Sequence, residues 1–186
     1  YEIDEAIDTA ISANEAGIDG IIVQDIGLAT KLHEALPSMK LIASTQMNIY
    51  SSTEVSKLKE LGFTRIVLPR EMSMDEIFSI TKVASSFDVE TEVFVHGAVC
   101  VSCSGLCLFS AMNKSGSRSG NRGLCAQPCR LPYELIEEQN NNSLVLDKGY
   151  LMSPRDNFGM EFLPELIKMG INSFKIEGRM KTPTYV

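Results

Sequence analysis

Residues 90–130 read ETEVFVHGAVCVSCSGLCLFSAMNKSGSRSGNRGLCAQPCR and contain every cysteine of the chain. The stretch begins with a strand pattern, ETEVFVHG, and continues directly into the cysteines. Thiolates are soft ligands, and a cluster of them at short spacings suits zinc or an iron–sulfur centre. The sequence therefore predicts a strand that leads the chain into a metal-binding segment formed by Cys100, Cys103, Cys107, Cys125 and Cys129.

The spacing of the cysteines divides them into two groups. The first three follow the pattern C-x2-C-x3-C, which on a helix would place them on one face. The last two follow C-x3-C beside Pro128, which indicates a turn. Four thiolates from two short segments suit either a [4Fe–4S] cluster or zinc. Structural zinc usually takes a C-x2-C pair from both halves, and the second half has none, so the pattern favours the cluster.

The cysteine stretch is also the basic part of an acidic chain. The net charge is −7, yet no acidic residue occurs from residue 93 to residue 133, where Lys114, Arg118, Arg122 and Arg130 lie. A nucleic acid would be attracted to this stretch and repelled by the rest. Residues 113–123 (NKSGSRSGNRG) are consistent with a solvated loop, or with a clamp for phosphate or carboxylate because arginine binds both in a bidentate manner.

The composition is typical of a soluble globular protein with about one domain. The chain has 186 residues, of which 44% are hydrophobic and 22% charged. No signal peptide or membrane-spanning run is visible, and an odd number of cysteines without signs of export makes a disulfide framework unexpected. We therefore expect a reducing, cytoplasmic location and no membrane partner. The missing initiator Met and the end in mid-pattern predict a piece of a longer protein.

Before the cysteines, strand and helix patterns alternate in the way that builds a parallel sheet. Right-handed crossovers of this kind form an open sheet or close into a barrel. Polar residues follow the strands in turn, as they do at the catalytic mouth of a (β/α)8 barrel, which favours the barrel. These strand-end residues are Gln24, Asp25, Gln46, Asn48, Arg70, Glu71, Glu92 and His96. Strands are predicted at 20–25, 40–44, 65–69 and 90–97.

After the cysteines the alternation changes. Two short strand patterns flank an Asn-rich turn at residues 140–142 and predict a β-hairpin, and a helix and a fifth barrel strand at 172–176 follow. The predicted fold class is α/β, a partial TIM-like (β/α) barrel with a cysteine-rich segment and an inserted hairpin. The expected segments are 1–98 for the βα repeats, 99–131 for the cysteines, 132–150 for the hairpin and 151–186 for the return to the barrel.

Several longer motifs resemble the peptidase U32 family, also known as the collagenase-like protease family. The matching motifs are residues 92–100 (EVFVHGAVC), 105–107 (GLC), 121–123 (NRG), 125–130 (CAQPCR), 153–156 (SPRD) and 175–181 (KIEGRMK). The resemblance implies a TIM-like barrel with appended parts. It also implies a [4Fe–4S] cluster on Cys100, Cys107, Cys125 and Cys129, and leaves Cys103 outside the ligand positions, although members differ in the origin of the fourth ligand.

The same resemblance implies chemistry on RNA. Despite the old peptidase label, members are oxygen-independent hydroxylases of a tRNA wobble uridine, a ribosomal RNA cytidine or ubiquinone precursors, and the RNA-modifying ones depend on prephenate. We therefore expect an RNA hydroxylase acting on tRNA, with a small carboxylate donor such as prephenate and a homologous partner subunit. The candidates for binding the carboxylate or the RNA backbone are Arg122, Arg155 and Arg179. The candidates for orienting these groups or moving protons are His96, Glu92, Asp156 and Glu177.

Two alternatives remain open. A peptidase would need an activated nucleophile, for which Cys100 or Cys103 with His96 is conceivable, whereas the H-E-x-x-H motif of a metallopeptidase does not occur. A lone histidine at a strand end is more often a hydrogen-bonded structural group than a base. The second alternative is a zinc-stapled RNA-binding module without enzymatic activity, which the acidic balance of the chain disfavours.

Overall fold

The computed structural model describes residues 2–112, 118–139, 142–178 and 181–186. These residues form two compact units. The sheet unit consists of Tyr1–Gly97 and Phe158–Val186, and the cysteine unit consists of Ala98–Asn157. The predicted division into four segments stays a prediction.

The sheet unit is a curled, parallel sheet that forms a half-barrel, as the fold class predicted. Strands β1 to β4 lie in sequence order, and β8 pairs in parallel with β4, which also hydrogen-bonds to the short β7. The strands are β1 Ile21–Val23, β2 Leu41–Ala43, β3 Phe63–Val67, β4 Glu90–Gly97, β7 Asn157–Phe158 and β8 Ser173–Glu177. The helices are α1 Glu2–Glu15, α2 Ile26–Ala35, α3 Ser52–Glu60, α4 Met74–Ser86 and α5 Leu163–Lys168.

Side-chain caps at the helix starts explain where the chain turns from strand to helix. Ser51 and Ser73 each form a capping box, with Glu54 and Glu76 returning the hydrogen bond to the cap backbone. Asp25 caps α2 by accepting a hydrogen bond from the amide of Leu28 at 2.7 Å. Asp25, predicted as one of the functional strand-end residues, therefore has a structural partner.

Alternation along β4 separates a core face from a polar face. Val93 and Val95 belong to the hydrophobic core, which the helices cover. Glu92, Phe94 and His96 occupy the alternate positions and lie on the opposite face. This alternation gives one side of the sheet unit its charged and aromatic residues.

The described part of the cysteine unit contains no buried apolar side chain. Among its described residues, those classed as buried are the small polar Ser104 and Ser110, at 3% and 1% exposure. It contains the antiparallel hairpin of β5 Tyr133–Gln139 and β6 Asn142–Gly149, close to the predicted one. The first two residues of the predicted Asn-rich turn lie outside the described residues.

None of the helices in the described ranges is both long enough and apolar enough to span a lipid bilayer.

Candidate functional site

The first three cysteines lie in an irregular segment of bends and turns. No helix forms between Cys100 and Met112, so the condition under which the C-x2-C-x3-C spacing would place these cysteines on one face is not met. The sequence there is rich in small residues and includes Gly105, which adopts a φ of +70°, a conformation that ends helices. Of the last two cysteines, Cys129 lies within a 3-10 turn, Pro128–Arg130, which agrees with the turn expected from Pro128.

Three of the other cysteine thiols lie close enough to Cys129 to influence its charge. Burial raises the pKa of the Cys129 thiol, and the Arg130 guanidinium partly offsets that rise. Negative charge on Cys100, Cys125 and Cys107 would raise the pKa of Cys129 further.

The Cys125 sulfur receives one hydrogen bond from its own turn and one from Ser110. The backbone amide of Gln127 donates to Cys125 Sγ at 3.3 Å, and Ser110 Oγ donates to the same sulfur at 3.8 Å. Ser110 Oγ in turn accepts a hydrogen bond from the amide of Ala126 at 3.0 Å. Donors aimed at a sulfur stabilise its thiolate form, which is the form that binds a metal.

Arg130 joins three segments of the cysteine unit. Its guanidinium donates to Ser153 Oγ at 2.6 Å, to the carbonyl of Pro154 at 2.9 Å and to the carbonyl of Val99 at 2.6 Å. Val99 precedes Cys100, and Arg130 follows Cys129, so one side chain ties together the two cysteine-bearing segments. The contacts of Arg130 with these segments cannot be read from the sequence, although an arginine directly after the last cysteine was a signal for such a role.

The described side chains do not close a site around a single metal ion. No set of three or more Cys, His, Asp or Glu side chains in these ranges converges closely enough to hold one ion. Each thiolate of a [4Fe–4S] cluster binds a different iron, so the four sulfurs of such a site stand farther apart than the ligands of one zinc ion. The donor set of four thiols fits a [4Fe–4S] cluster, and the choice between a cluster and zinc stays a prediction.

A charged network crosses the polar face of the sheet unit. Arg65 pairs with Glu90 at 2.6 Å and with Glu92 at 3.3 Å, and Lys175 Nζ lies 3.1 Å from the other oxygen of Glu92. Ser173 Oγ donates to Glu92 at 2.8 Å. The network joins the matched motif on β4 to the matched motif on β8, because Glu92 lies beside Ser173 in the sheet.

This network keeps Glu92 ionised at neutral pH. Burial by itself raises the pKa of the Glu92 carboxyl, but the hydrogen bond from Ser173 and the charges of Lys175 and Arg65 outweigh burial and lower the pKa below its ordinary value. A carboxylate with a lowered pKa is a weak proton acceptor, so the geometry favours an orienting role toward Lys175. Glu92 is the third residue of β4 and not a strand-end residue, which corrects the expected position.

His96 lies near the carboxyl end of β4 and contacts two aromatic rings. Its Nε2 donates to the backbone carbonyl of Tyr185 at 3.0 Å, which leaves Nδ1 as the acceptor nitrogen of the neutral ring. The Tyr185 ring lies 4.9 Å from the His96 ring, and the Phe158 ring meets it edge-on at 6.2 Å. His96 is therefore held in a fixed orientation.

The other predicted site residues are distributed over both units. Glu177 lies at the end of β8 in the sheet unit. In the cysteine unit, Arg122 ends a 3-10 turn, and Arg155 and Asp156 are exposed. Arg179 lies outside the described residues. The roles assigned to these side chains stay predictions.

Asn48, which follows β2, has a buried side-chain oxygen without a hydrogen-bond partner among the described residues. Its backbone is left-handed, with a φ of 57° and a ψ of 49°. Among the described side chains, its buried Oδ1 has no hydrogen-bond partner. Asn48 thus differs from Asp25, the predicted strand-end residue that caps a helix.

Comparison with known proteins identifies the family. A family model described as "Peptidase family U32" matches residues 1–186. The chain is 42% identical over 172 residues to the 23S rRNA 5-hydroxycytidine C2501 synthase of Escherichia coli, covering 92% of this chain and 25% of that protein. It is 39% identical over 176 residues to tRNA hydroxylation protein P1 of Bacillus subtilis, covering 92% and 40%. A protein named Collagenase from Porphyromonas gingivalis is 32% identical over 196 residues, covering 100% and 46%.

The fold has a counterpart among solved structures. The U32 peptidase Mk0906 superposes with a TM-score of 0.50 at 12% identity, over 96% of this chain and 63% of that one. The chain spans less than half the length of the three curated relatives described above. The match over the whole chain and the shared motifs place the chain in peptidase family U32.

Proposed function

We propose that this protein is an oxygen-independent RNA hydroxylase that acts on tRNA in the cytoplasm. In this proposal Cys100, Cys107, Cys125 and Cys129 hold a [4Fe–4S] cluster, and a small carboxylate such as prephenate is the co-reactant. The observation that carries the proposal is the grouping of these four thiols in a chain whose relatives, at 39% and 42% identity, are named for the hydroxylation of tRNA and rRNA.

The packing of the cysteine unit supports a structural need for the cluster. A small unit whose described residues bury no apolar side chain has little hydrophobic stabilisation. Domains of this kind are usually held together by disulfides or by metal ligation. Because all five cysteines are free thiols, metal ligation is the interaction that the composition offers.

The chain's own residues would bind and orient the substrates. Replacing a C–H bond of a base by C–OH adds one oxygen atom to the base and removes two electrons from it, so the co-reactant would have to provide the oxygen and be reduced by two electrons, with the bound cluster supplying electron-transfer chemistry. Arg122 and Arg155 would hold the carboxylate or the RNA backbone, as would Arg179. Lys175, oriented by Glu92, adds a cation on the polar face of the sheet unit.

A peptidase is the second candidate, because one relative carries the name Collagenase. Such an enzyme would use His96 as its base, and its Nε2 is bound to the Tyr185 carbonyl. Only Nδ1 would then be able to accept a proton from a nucleophile. A base whose other ring nitrogen is held in this way is compatible with a peptidase, so the choice between the two activities depends on the experiments below.

The test begins with the metal. We expect anaerobically purified protein to contain four irons and four sulfides per chain and to give the Mössbauer signature of a [4Fe–4S] cluster. A Cys129→Ser variant should lose most of this iron, whereas Cys103→Ser should keep it. One zinc per chain without sulfide would refute the cluster and favour the zinc-stapled module.

The second part of the test identifies the substrate. Nucleosides of tRNA and rRNA are measured by mass spectrometry in the parent strain and in a strain that lacks the gene. The deletion strain is also measured after it has received either the wild-type gene or the Cys129→Ser gene. We expect a hydroxylated uridine to disappear from tRNA and to return with the wild-type gene alone. A loss confined to rRNA would move the substrate to rRNA, and unchanged RNA together with proteolysis that depends on His96 would establish the peptidase.

A further inference from the structure

The aromatic cluster around His96 has one ring that faces solvent. The cluster is defined here as Phe158, His96 and Tyr185, together with Lys181. Phe158 is 68% exposed although its ring meets His96 at 6.2 Å. An exposed aromatic ring beside an oriented histidine leaves one of its faces available to a planar ligand.

The backbone holds Phe158 in place. Directly after it, the amide of Gly159 donates to the carbonyl of Val95 on β4 at 2.7 Å. A Cβ atom on Gly159 would lie only 2.8 Å from that oxygen, so the close approach of these two backbone segments requires glycine. The backbone next to Phe158 is therefore anchored to β4, which limits the conformational entropy lost when a ligand stacks on its ring.

A positive charge completes the cluster. Lys181 Nζ lies 4.7 Å from the centroid of the Tyr185 ring, and Tyr185 lies against His96. Proteins that bind unpaired nucleotides combine such elements, because an aromatic face stacks on the base and a nearby cation attracts the phosphate. An enzyme that modifies a base must also remove that base from the helical stack before it can reach the reacting atom.

We propose that Phe158 is the stacking platform for an unpaired RNA base next to His96, with Lys181 neutralising the adjacent phosphate. This inference rests on the proposed RNA-directed function and adds the residue that receives the base. Stacking on a side chain tolerates any base, so Phe158 supplies affinity and position, and the choice among bases is made by other contacts.

The absence of tryptophan from the chain allows a direct test. Phe158→Trp places the sole indole of the protein in the proposed subsite, and a base that stacks on it quenches its emission. The matched control is Phe78→Trp, because Phe78 is an exposed phenylalanine on helix α4, at 48% exposure. We expect saturable quenching of Phe158→Trp by a single-stranded oligouridylate and no quenching of Phe78→Trp.

Affinity gives the second measurement, by fluorescence anisotropy of a fluorescein-labelled oligouridylate with anaerobically purified full-length protein. We expect Phe158→Leu to weaken binding roughly 5- to 100-fold, the loss typical of one stacked base, and Phe158→Tyr to restore it. Phe78→Leu should bind as the wild type does.

The outcomes separate this proposal from the function on which it rests. RNA binding that is unchanged in Phe158→Leu, with no quenching of Phe158→Trp, overturns the stacking platform and leaves the RNA hydroxylase intact. Quenching by a peptide but not by RNA overturns the platform as a base subsite. Failure of the wild-type protein to bind the oligonucleotide and to modify RNA in cells overturns both.

Discussion

Gly97 is a position where only glycine fits. It ends β4 with a φ of +115°, and a Cβ atom there would overlap the backbone carbonyl of Glu177 on β8. Both strands come from motifs shared with the family, and Gly97 is the point at which their carboxyl ends meet. A side chain at residue 97 would separate these ends, because a backbone carbonyl in a sheet cannot rotate away as a side chain can.

We expect Gly97→Ala to lower the free energy of unfolding by at least about 2 kcal/mol, from backbone strain and the overlap together. Gly17→Ala is the matched control, because Gly17 also has a positive φ, +83°, but no atom within 4 Å of a Cβ placed there. That variant should lose only about 1 kcal/mol. Urea unfolding followed by circular dichroism measures both, and equal losses would show that the contact with Glu177 is unimportant.

The charged network around Glu92 predicts how stability depends on pH. Because the pKa of Glu92 is lower in the folded protein than its ordinary value of 4.5, its ionised form stabilises the fold above that pH. The stabilisation is lost as pH falls below 4.5 through the folded pKa. Protonation would remove the partner of Lys175 and one of the partners of Arg65.

Glu92→Gln should therefore be less stable than the wild type at pH 7, by about 1–3 kcal/mol, because two cations lose a charged partner. The difference should shrink as the pH is lowered from 5 to 3, since glutamine does not titrate. Thermal unfolding at intervals over this range measures the difference. Glu5→Gln on the exposed surface of α1 serves as the control, and a difference independent of pH would contradict the assignment.

At the scale of the elements, Arg130 determines how the cysteine-bearing turns meet. Its three hydrogen bonds end on the carbonyl of Val99, which precedes Cys100, and on Ser153 Oγ and the carbonyl of Pro154, which lie in the matched motif at residues 153–156. Hydrogen bonds from a charged donor contribute about 1.5–3 kcal/mol each, so their loss would free the turns to move apart.

We expect Arg130→Met to retain less than half of the iron that the wild type binds after anaerobic reconstitution, and Arg130→Lys to retain an intermediate amount. Lysine cannot reproduce the forked geometry of the guanidinium. Arg155→Met is the control, because Arg155 is exposed in the same unit, and it should bind iron normally. Iron and sulfide analysis gives the result, and full loading of Arg130→Met would show that the turns are positioned by other contacts.

The secondary-structure elements that could be predicted are those that a local sequence pattern specifies. The strands at residues 20–25 and 90–97 follow from apolar runs, and the structure has them close to those positions. The contacts of Glu92 with Lys175 depend on the pairing of two strands far apart in the sequence, which no local pattern reveals. The spacing of the first three cysteines did not determine whether they share a face, because that depends on the backbone conformation, which is not helical there.

The candidate site was predictable to a similar extent. The chemistry of the thiols pointed to the cysteine stretch, and the family motifs selected four of the five cysteines. Residue type alone could not indicate Phe158, because the property that matters is its exposure beside His96. Arg130 was visible as a basic residue, but its role as a donor to two other segments required the fold.

At the scale of the whole molecule, the two units depend on different interactions. The hydrophobic core, which extends from Ala10 to Ile171, contains described residues of the sheet unit and none of the cysteine unit. The sheet unit therefore has the apolar burial that stabilises ordinary domains, whereas the cysteine unit needs another source of stability. If thiolate ligation is that source, removal of the ligation should affect one unit and spare the other.

We therefore expect Cys129→Ser, purified without oxygen beside the wild type, to lose hydrogen-exchange protection within Ala98–Asn157. The loss should be at least roughly 100-fold for the hairpin amides of β5 and β6, because metal binding contributes much of the folding free energy of such units. The amides of β2 and β3 should exchange as in the wild type. Cys103→Ser should match the wild type in both units, since the proposed ligand set does not include Cys103. Protection that falls equally in both units, or in neither, would mean that the cysteine unit does not depend on its thiolates for structure.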